Sequence, residues 1–246
     1  MNEAVIVVPC FEEAKRLDAE AFASLAGTGG IHLLFVDDGS RDGTLGLLEG
    51  IAARLPDTVA VLSLRENAGK AEAVRAGLLR AMEQGAEVVG YLDADLSAPP
   101  SEMVRLVEAL RAASGVDVVL GSRVMLLGRR IERLWTRHLL GRAFATAASM
   151  ALQLPVYDTQ CGAKVFRTTT ALRSALGRPF SSRWAFDVEL LARLLTGGEG
   201  VAPVAPERFL EVPLTRWHHV RGSKLKPSAM AQAGLDLLQI ARDRRR

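Results

Sequence analysis

Five short apolar runs, each followed by a stretch of helical periodicity, constrain this chain more than any other feature of its sequence. Residues 4–8, 31–36, 59–64, 86–92 and 116–120 are continuous and rich in β-branched side chains. That is the pattern of strands buried on both faces of a mostly parallel sheet. Between them, residues 14–26, 44–54, 69–83 and 99–112 carry amphipathic helical spacing, the last with Pro99 and Pro100 at its start. The alternation predicts a Rossmann-like, doubly wound α/β sheet whose ligands bind at the C-terminal ends of the strands. Past residue 121 it stops. Residues 128–154 read as a long Arg-studded helix broken at Gly141, 164–167 and 208–213 as strands, and 185–195 and 227–244 as helices.

Composition narrows the class. With 246 residues, 49% hydrophobic and 24% charged, the chain is too apolar to be disordered. No run approaches the ~18–20 apolar residues of a membrane span. Met1–Asn2–Glu3 lacks the basic start and apolar core of a signal peptide. Cys10 and Cys161 cannot make a disulfide framework, so a reducing cytoplasm is expected and both thiols read as packing groups.

The net charge of +3 is unevenly spread. Residues 121–142 hold six Arg against Glu132, and residues 216–246 hold six Arg and two Lys against Asp236 and Asp243. Two basic stretches in an otherwise acidic chain imply an anionic partner. Arg129, Arg130, Arg133, Arg137 and Arg142 lie among Leu126, Leu127, Ile131, Leu134, Trp135, Leu139 and Leu140, a pattern that suits a membrane interface. The tail, residues 228–246, reads equally as a second basic amphipathic helix and as a frayed, disordered end. Neither stretch has the interleaved aromatics of a nucleic-acid surface, and no nucleic acid is expected.

Common nucleotide fingerprints fail. Leu64 stands where a Walker A loop needs its first Gly before Gly69–Lys70, and no G-x-G-x-x-G follows a strand. What stands at the strand ends is acid. The second run ends in Asp37–Asp38–Gly39–Ser40, and the fourth in Asp93–Ala94–Asp95. Residues two apart on an extended backbone point the same way, so Asp93 and Asp95 can present hard oxygen ligands to one Mg²⁺ or Mn²⁺.

Further motifs occur in order: Val8-Pro9-Cys10-Phe11-Glu12-Glu13, Asp37-Asp38-Gly39-Ser40-x-Asp42-Gly43-Thr44, Asn67-x-Gly69-Lys70 and Gly121-Ser122-Arg123. With Asp93-Ala94-Asp95 they resemble the nucleotide-sugar half of glycosyltransferase family 2, which has the GT-A fold. The runs Asp158–Phe166, Arg183–Leu190 and Trp217 with Gly222-Ser223-Lys224-Leu225 resemble its dolichyl-phosphate β-glucosyltransferase branch, close to the dolichyl-phosphate mannosyltransferases.

The resemblance implies one catalytic domain over residues 1–227, with a nucleotide-sugar half at 4–123 and an acceptor half with C-terminal helices at 124–227. It implies that Pro9, Phe11 and Glu13 frame the nucleotide, with Phe11 standing where the family often has Tyr, and that Val36 and Asp38 contact base and ribose. Lys70 closes the Asn67–Gly69 loop, where Ala71 replaces a frequent Gly. Asp93, Ala94 and Asp95 meet the diphosphate through the metal, and Arg123 and Lys224 neutralise it. Ser97 stands where mannosyltransferase relatives often carry a Gln ligand, and is taken as the third protein ligand. Asp95 is the leading catalytic residue. Asp187 and Glu189 are the carboxylates available as a base, unless they merely cap a helix start.

The expected reaction is inverting transfer of a hexose, glucose from UDP-glucose, to a polyprenyl phosphate at the cytoplasmic face of the inner membrane. The alternatives are GDP-mannose as donor and a sugar or small-molecule hydroxyl as acceptor. An Ala- and Arg-rich composition points to a bacterium and an undecaprenyl-type or decaprenyl-type lipid. His218–His219 reads as a surface pair rather than as metal ligands. Trp184 and Trp217 read equally as sugar or lipid platforms and as packing groups.

Overall fold

A computed structural model describes residues 4–132, 135–218 and 227–244. The first half alternates as the apolar runs require. Strands β1 (Ala4–Cys10), β2 (Ile31–Asp37), β3 (Val59–Ser63), β4 (Val88–Leu92) and β5 (Val118–Ser122) are interleaved with helices α1 (Ala19–Leu25), α2 (Thr44–Arg54), α3 (Lys70–Glu83) and α4 (Pro100–Ala112). Then follow β6 (Arg130–Ile131), α5 (Trp135–Leu152), β7 (Ala163–Arg167), α6 (Thr170–Leu176), α7 (Phe186–Thr196), β8 (Phe209–Pro213), β9 (Arg216–Trp217) and α8 (Pro227–Asp243).

The main sheet has seven strands in the order β3-β2-β1-β4-β7-β5-β8. All neighbours run parallel except around β7, which inserts antiparallel between β4 and β5. Every residue of β4 and β5 is buried, which explains why these strands read as continuous apolar runs rather than alternating ones. One core lies between the sheet and α1, α2 and α4. The other lies beneath α3, α5, α6, α7 and α8. Among the described residues, no helix is long and apolar enough to cross a membrane.

Two helices depart from the sequence reading. Helix α1 starts at Ala19 rather than Ala14, because the Asp18 carboxylate accepts the Ala21 N–H at 2.9 Å and caps it there. The long basic helix expected over residues 128–154 is shorter at its N-terminal end and unbroken at Gly141. Gly128, at φ 79°, turns the chain, and Arg130–Ile131 pairs in parallel with Arg216–Trp217 to form a separate two-stranded ribbon. Arg129 and Arg130 therefore precede the helix. Arg133 and Leu134 lie outside the described residues.

Candidate functional site

Parallel register brings the acidic strand ends together. Cys10 on β1 is aligned with Asp37 on β2, and Val7 with Tyr91 on β4, so the chains leaving these strands share one edge of the sheet. The loop after β1 is clamped onto the loop after β2. The Glu13 and Ala14 N–H groups donate to Thr44 Oγ1 at 2.8 and 3.0 Å, and the Arg41 N–H donates to Glu12 Oε1 at 2.9 Å. Glu13 is buried and ion-paired with Arg16. Phe11 is exposed at the edge of this cleft.

Asp38, also buried, organises a third loop. Its Oδ1 accepts the Ala68 N–H at 2.8 Å, and its Oδ2 accepts Asn67 Nδ2 at 2.9 Å and the Gly69 N–H at 2.8 Å. Burial raises its pKa above the ordinary carboxylate value, and the two peptide donors only partly oppose this. These bonds aim the start of α3, and hence Lys70, into the site. The neighbouring Asp37 is 1% exposed and was given no role from sequence, yet its Oδ1 meets no hydrogen-bond donor among the described residues.

At the end of β4, Asp93 is ion-paired with Lys70 Nζ at 2.6 Å. Its carboxyl group lies over Gly162, where a Cβ would come within 2.2 Å of it, so only glycine fits beneath. The Asp93 N–H donates to the Gly162 carbonyl at 2.9 Å, which ties the β4 end to the loop before β7. Asp95 accepts the Ser97 N–H at 2.9 Å in a tight turn through Leu96, whose φ is 51°. The Ser97 carbonyl accepts the His218 N–H at 3.0 Å. This bond holds His218 beside Ser97, where it is exposed as a surface residue. Burial would pull the Lys70 ammonium down, but the carboxylates of Asp93, Asp187 and Asp95 outweigh it and hold its pKa above the usual lysine value.

This donor set fits a divalent ion only in company. Among the described residues, no three His, Cys, Asp or Glu side chains cluster closely enough to cage a metal. Two hard carboxylates completed by substrate phosphate oxygens are a common Mg²⁺ arrangement.

Arg123 follows β5 and is held bidentately by Asp158, at 2.6 and 2.8 Å, with Trp217 facing its guanidinium at 5.4 Å. Burial opposes its charge, but Asp158 prevails and raises its pKa further. Its orientation is thus fixed by Asp158, a residue given no role from sequence.

Four expected site residues have side chains that are buried or already engaged. Val36 is wholly buried against α3, where a Cβ on Gly77 would fall 2.8 Å from its methyl group. Its side chain cannot reach a base, because strand alternation turns it into the core. Pro9 and Ala94 are likewise buried, leaving Phe11 and Glu12 as the exposed side chains of the first motif. Glu189 is no free base. It accepts the Ser181 and Ser182 N–H groups at 2.9 and 3.0 Å and pairs with Arg193 at 2.6 Å, beneath α8. Lys224 lies outside the described residues, as does His219.

Asp187 is closer to the site but closed off. It pairs with Lys164 Nζ at 2.7 Å and accepts the Tyr91 hydroxyl. Lys164 is fully buried and also donates to the Cys161 carbonyl at 2.6 Å. The signal was present in the sequence: a lysine inside the apolar run Ala163–Phe166 needs a buried anion. Burial pushes the Cys161 thiol up to about 12 and raises Cys10 as well, which keeps both thiols protonated and inert.

Residues 5–170 match the family described as Glycosyl transferase family 2. A dolichyl-phosphate beta-glucosyltransferase of Trichomonas vaginalis is 31% identical over 96% of this chain and 69% of its own length. That of Drosophila melanogaster is 33% identical over 97% and 74%. A polyprenol monophosphomannose synthase of Mycolicibacterium smegmatis is 29% identical over 94% and 84%. Among solved structures, glucosyl-3-phosphoglycerate synthase from Mycobacterium tuberculosis, in complex with Mn²⁺, UDP and glucosyl-3-phosphoglycerate, superposes with a TM-score of 0.69 at 19% identity. It covers 98% of this chain and 80% of that one. The shared architecture is the GT-A fold.

Proposed function

Since the chain belongs to glycosyltransferase family 2, we propose that it transfers glucose from UDP-glucose to a polyprenyl phosphate, with inversion, at a cytoplasmic membrane face. The observation that carries this reading is the Asp93–Asp95 edge with Lys70 already seated on Asp93. It lies in a chain similar over nearly its whole length to enzymes named for lipid-phosphate glucosyl or mannosyl transfer.

Asp93 and Asp95 are the residues to hold Mg²⁺ or Mn²⁺, with the Ser97 hydroxyl as a further ligand. The ion supplies electrostatic stabilisation of the departing diphosphate. Lys70 and Arg123 add fixed positive charge at the same edge, and the resemblance assigns Lys224 to the same diphosphate. Phe11 and the clamped loops around Glu13 and Asp38 form the nucleoside end of the cleft.

The acceptor follows from proton bookkeeping. A phosphate monoester has a second pKa of ~6 and attacks as an anion near neutrality, whereas a sugar hydroxyl needs a base. Asp187 is committed to Lys164 and Tyr91, and Glu189 to Arg193 and two peptide N–H groups. A site whose candidate bases are both engaged suits an acceptor that brings its own negative charge.

Residues 4–123 then serve the donor and 124–227 the acceptor, with α5, α8 and the basic tail facing anionic lipid. The test is incubation with polyprenyl phosphate and radiolabelled UDP-glucose, UDP-galactose and GDP-mannose. Label from UDP-glucose in the lipid phase is expected. Label from GDP-mannose alone would replace the donor, and release of UDP only with soluble hydroxyl acceptors would overturn the lipid reading.

A further inference from the structure

The segment joining β5 to β6 protrudes. Met125, Leu126 and Leu127 are 51%, 48% and 104% exposed, so among the described residues none covers Leu127. The tip is nonetheless braced. The Arg129 N–H donates to the Leu126 carbonyl at 3.1 Å, Arg130 to Thr215 at 2.9 Å and Glu132 to Trp217 at 3.0 Å. Buried Glu102 on α4 fixes the other side of the ribbon by accepting the Thr215 and Arg216 N–H groups at 2.9 and 3.0 Å. A stalk ordered in this way presents its apolar tip with little further loss of conformational freedom on binding.

We propose that Met125–Leu127 is a wedge that enters the apolar layer of a lipid bilayer, with Arg129 and Arg130 among its anionic headgroups. The placement of the bilayer rests on the lipid-phosphate acceptor above. Three side chains on a convex tip fall far short of the roughly 800 Å² per partner that a stable protein interface takes. Interfacial insertion needs only a depth of ~5–10 Å. The adjoining charges are also of the sign that anionic headgroups attract.

Chain length ties the wedge to the site. Leu127 is four positions beyond Arg123, at most about 14 Å along the backbone. With Leu127 inserted, Arg123 and the Asp93–Asp95 edge stand close to the plane where lipid phosphates lie. The wedge therefore sets the height of the site above the membrane as well as attaching the chain to it.

A fluorophore whose emission rises in apolar surroundings, attached to Leu127→Cys, tests this directly. Cys10 and Cys161 are buried and do not compete for the label. On adding vesicles containing phosphatidylglycerol, emission should rise and be quenched by spin labels in the acyl chains. The same probe on Ser114→Cys, at the opposite end of β5, should not respond. Leu127→Asp should weaken vesicle partition roughly tenfold or more, while transfer to a short, water-soluble isoprenyl phosphate stays at the wild-type rate.

A silent Leu127 probe in a chain that still glycosylates the soluble acceptor overturns the wedge and leaves the acceptor reading standing. An inserting probe in a chain that glycosylates no isoprenyl phosphate upholds the wedge and removes the acceptor reading.

Discussion

Lys70 meets Asp93 at 2.6 Å and Lys164 meets Asp187 at 2.7 Å, yet the first pair is 43% and 31% exposed and the second 0% and 8%. The two pairs are near enough that Asp187 contributes to the charge state of Lys70. Their surroundings divide the labour. The outer pair is partly open to solvent, so Asp93 can exchange its lysine for another cation more readily than Asp187 can. In the inner pair neither charge can be left alone, because a buried ion without its partner has nothing to solvate it. Chemistry that needs ligand exchange belongs to the outer pair. The inner pair holds β7 and α7 in place beneath it.

The largest effect expected from this contrast is on stability. Lys164→Met leaves Asp187 buried with only Tyr91, and should cost about 3–5 kcal/mol in urea unfolding. Transfer by the molecules that remain folded should persist, and a stable but inactive variant would instead make the inner pair catalytic. Asp93→Asn should do the reverse. A fall in kcat/KM of roughly 10²–10³-fold is expected with an almost unmoved urea midpoint, and Asp95→Ala should behave alike. An active Asp95→Ala variant in Mg²⁺ or Mn²⁺ would refute the metal assignment.

Lys70→Met should be milder still. Donor KM is expected to rise about tenfold, while stability changes by no more than ~1 kcal/mol, as for other exposed ion pairs. Loss of several kcal/mol there would erase the distinction between the pairs.

The last effect is confined to alkaline pH. Beneath the inner pair, the Cys161 thiol stays protonated in the folded chain up to about 12, whereas an unfolded thiol ionises near 8.5–9. Its contribution to stability is complete below the unfolded pKa and is lost as pH rises towards the folded one, by at most about 1.4 kcal/mol per unit. Urea midpoints at rising alkaline pH should therefore fall, and less steeply in Cys161→Ala.

Much of the fold could be read directly because strand and helix periods were clean. Helix α2 begins and ends at Thr44 and Arg54 as its spacing predicts, and β1 to β5 fall within two residues of their apolar runs. The acidic strand ends were legible for the same reason: a carboxylate at the close of a buried apolar run has few structural uses. Local pattern failed where partners are distant. Two-residue strands such as β6 and β9 carry no period, so the ribbon was read as the beginning of a helix. Glu189 looked like a free acid because Ser181, Ser182 and Arg193 converge on it only in the fold. Val36 was assigned to the nucleotide although its face of β2 turns to α3.

The position of β7 has a consequence for how the molecule can be divided. This strand, from residues 163–167, fills the gap between β4 and β5, which both come from the first half of the sequence. The donor part is thus not a module to which an acceptor part has been appended. Cleaving the chain after Arg123 would leave a sheet with a missing central rung, and Asp93 would lose the Gly162 carbonyl that anchors its backbone. New acceptor specificities cannot be grafted by exchanging everything beyond residue 123, since the exchange would replace a strand at the heart of the donor site.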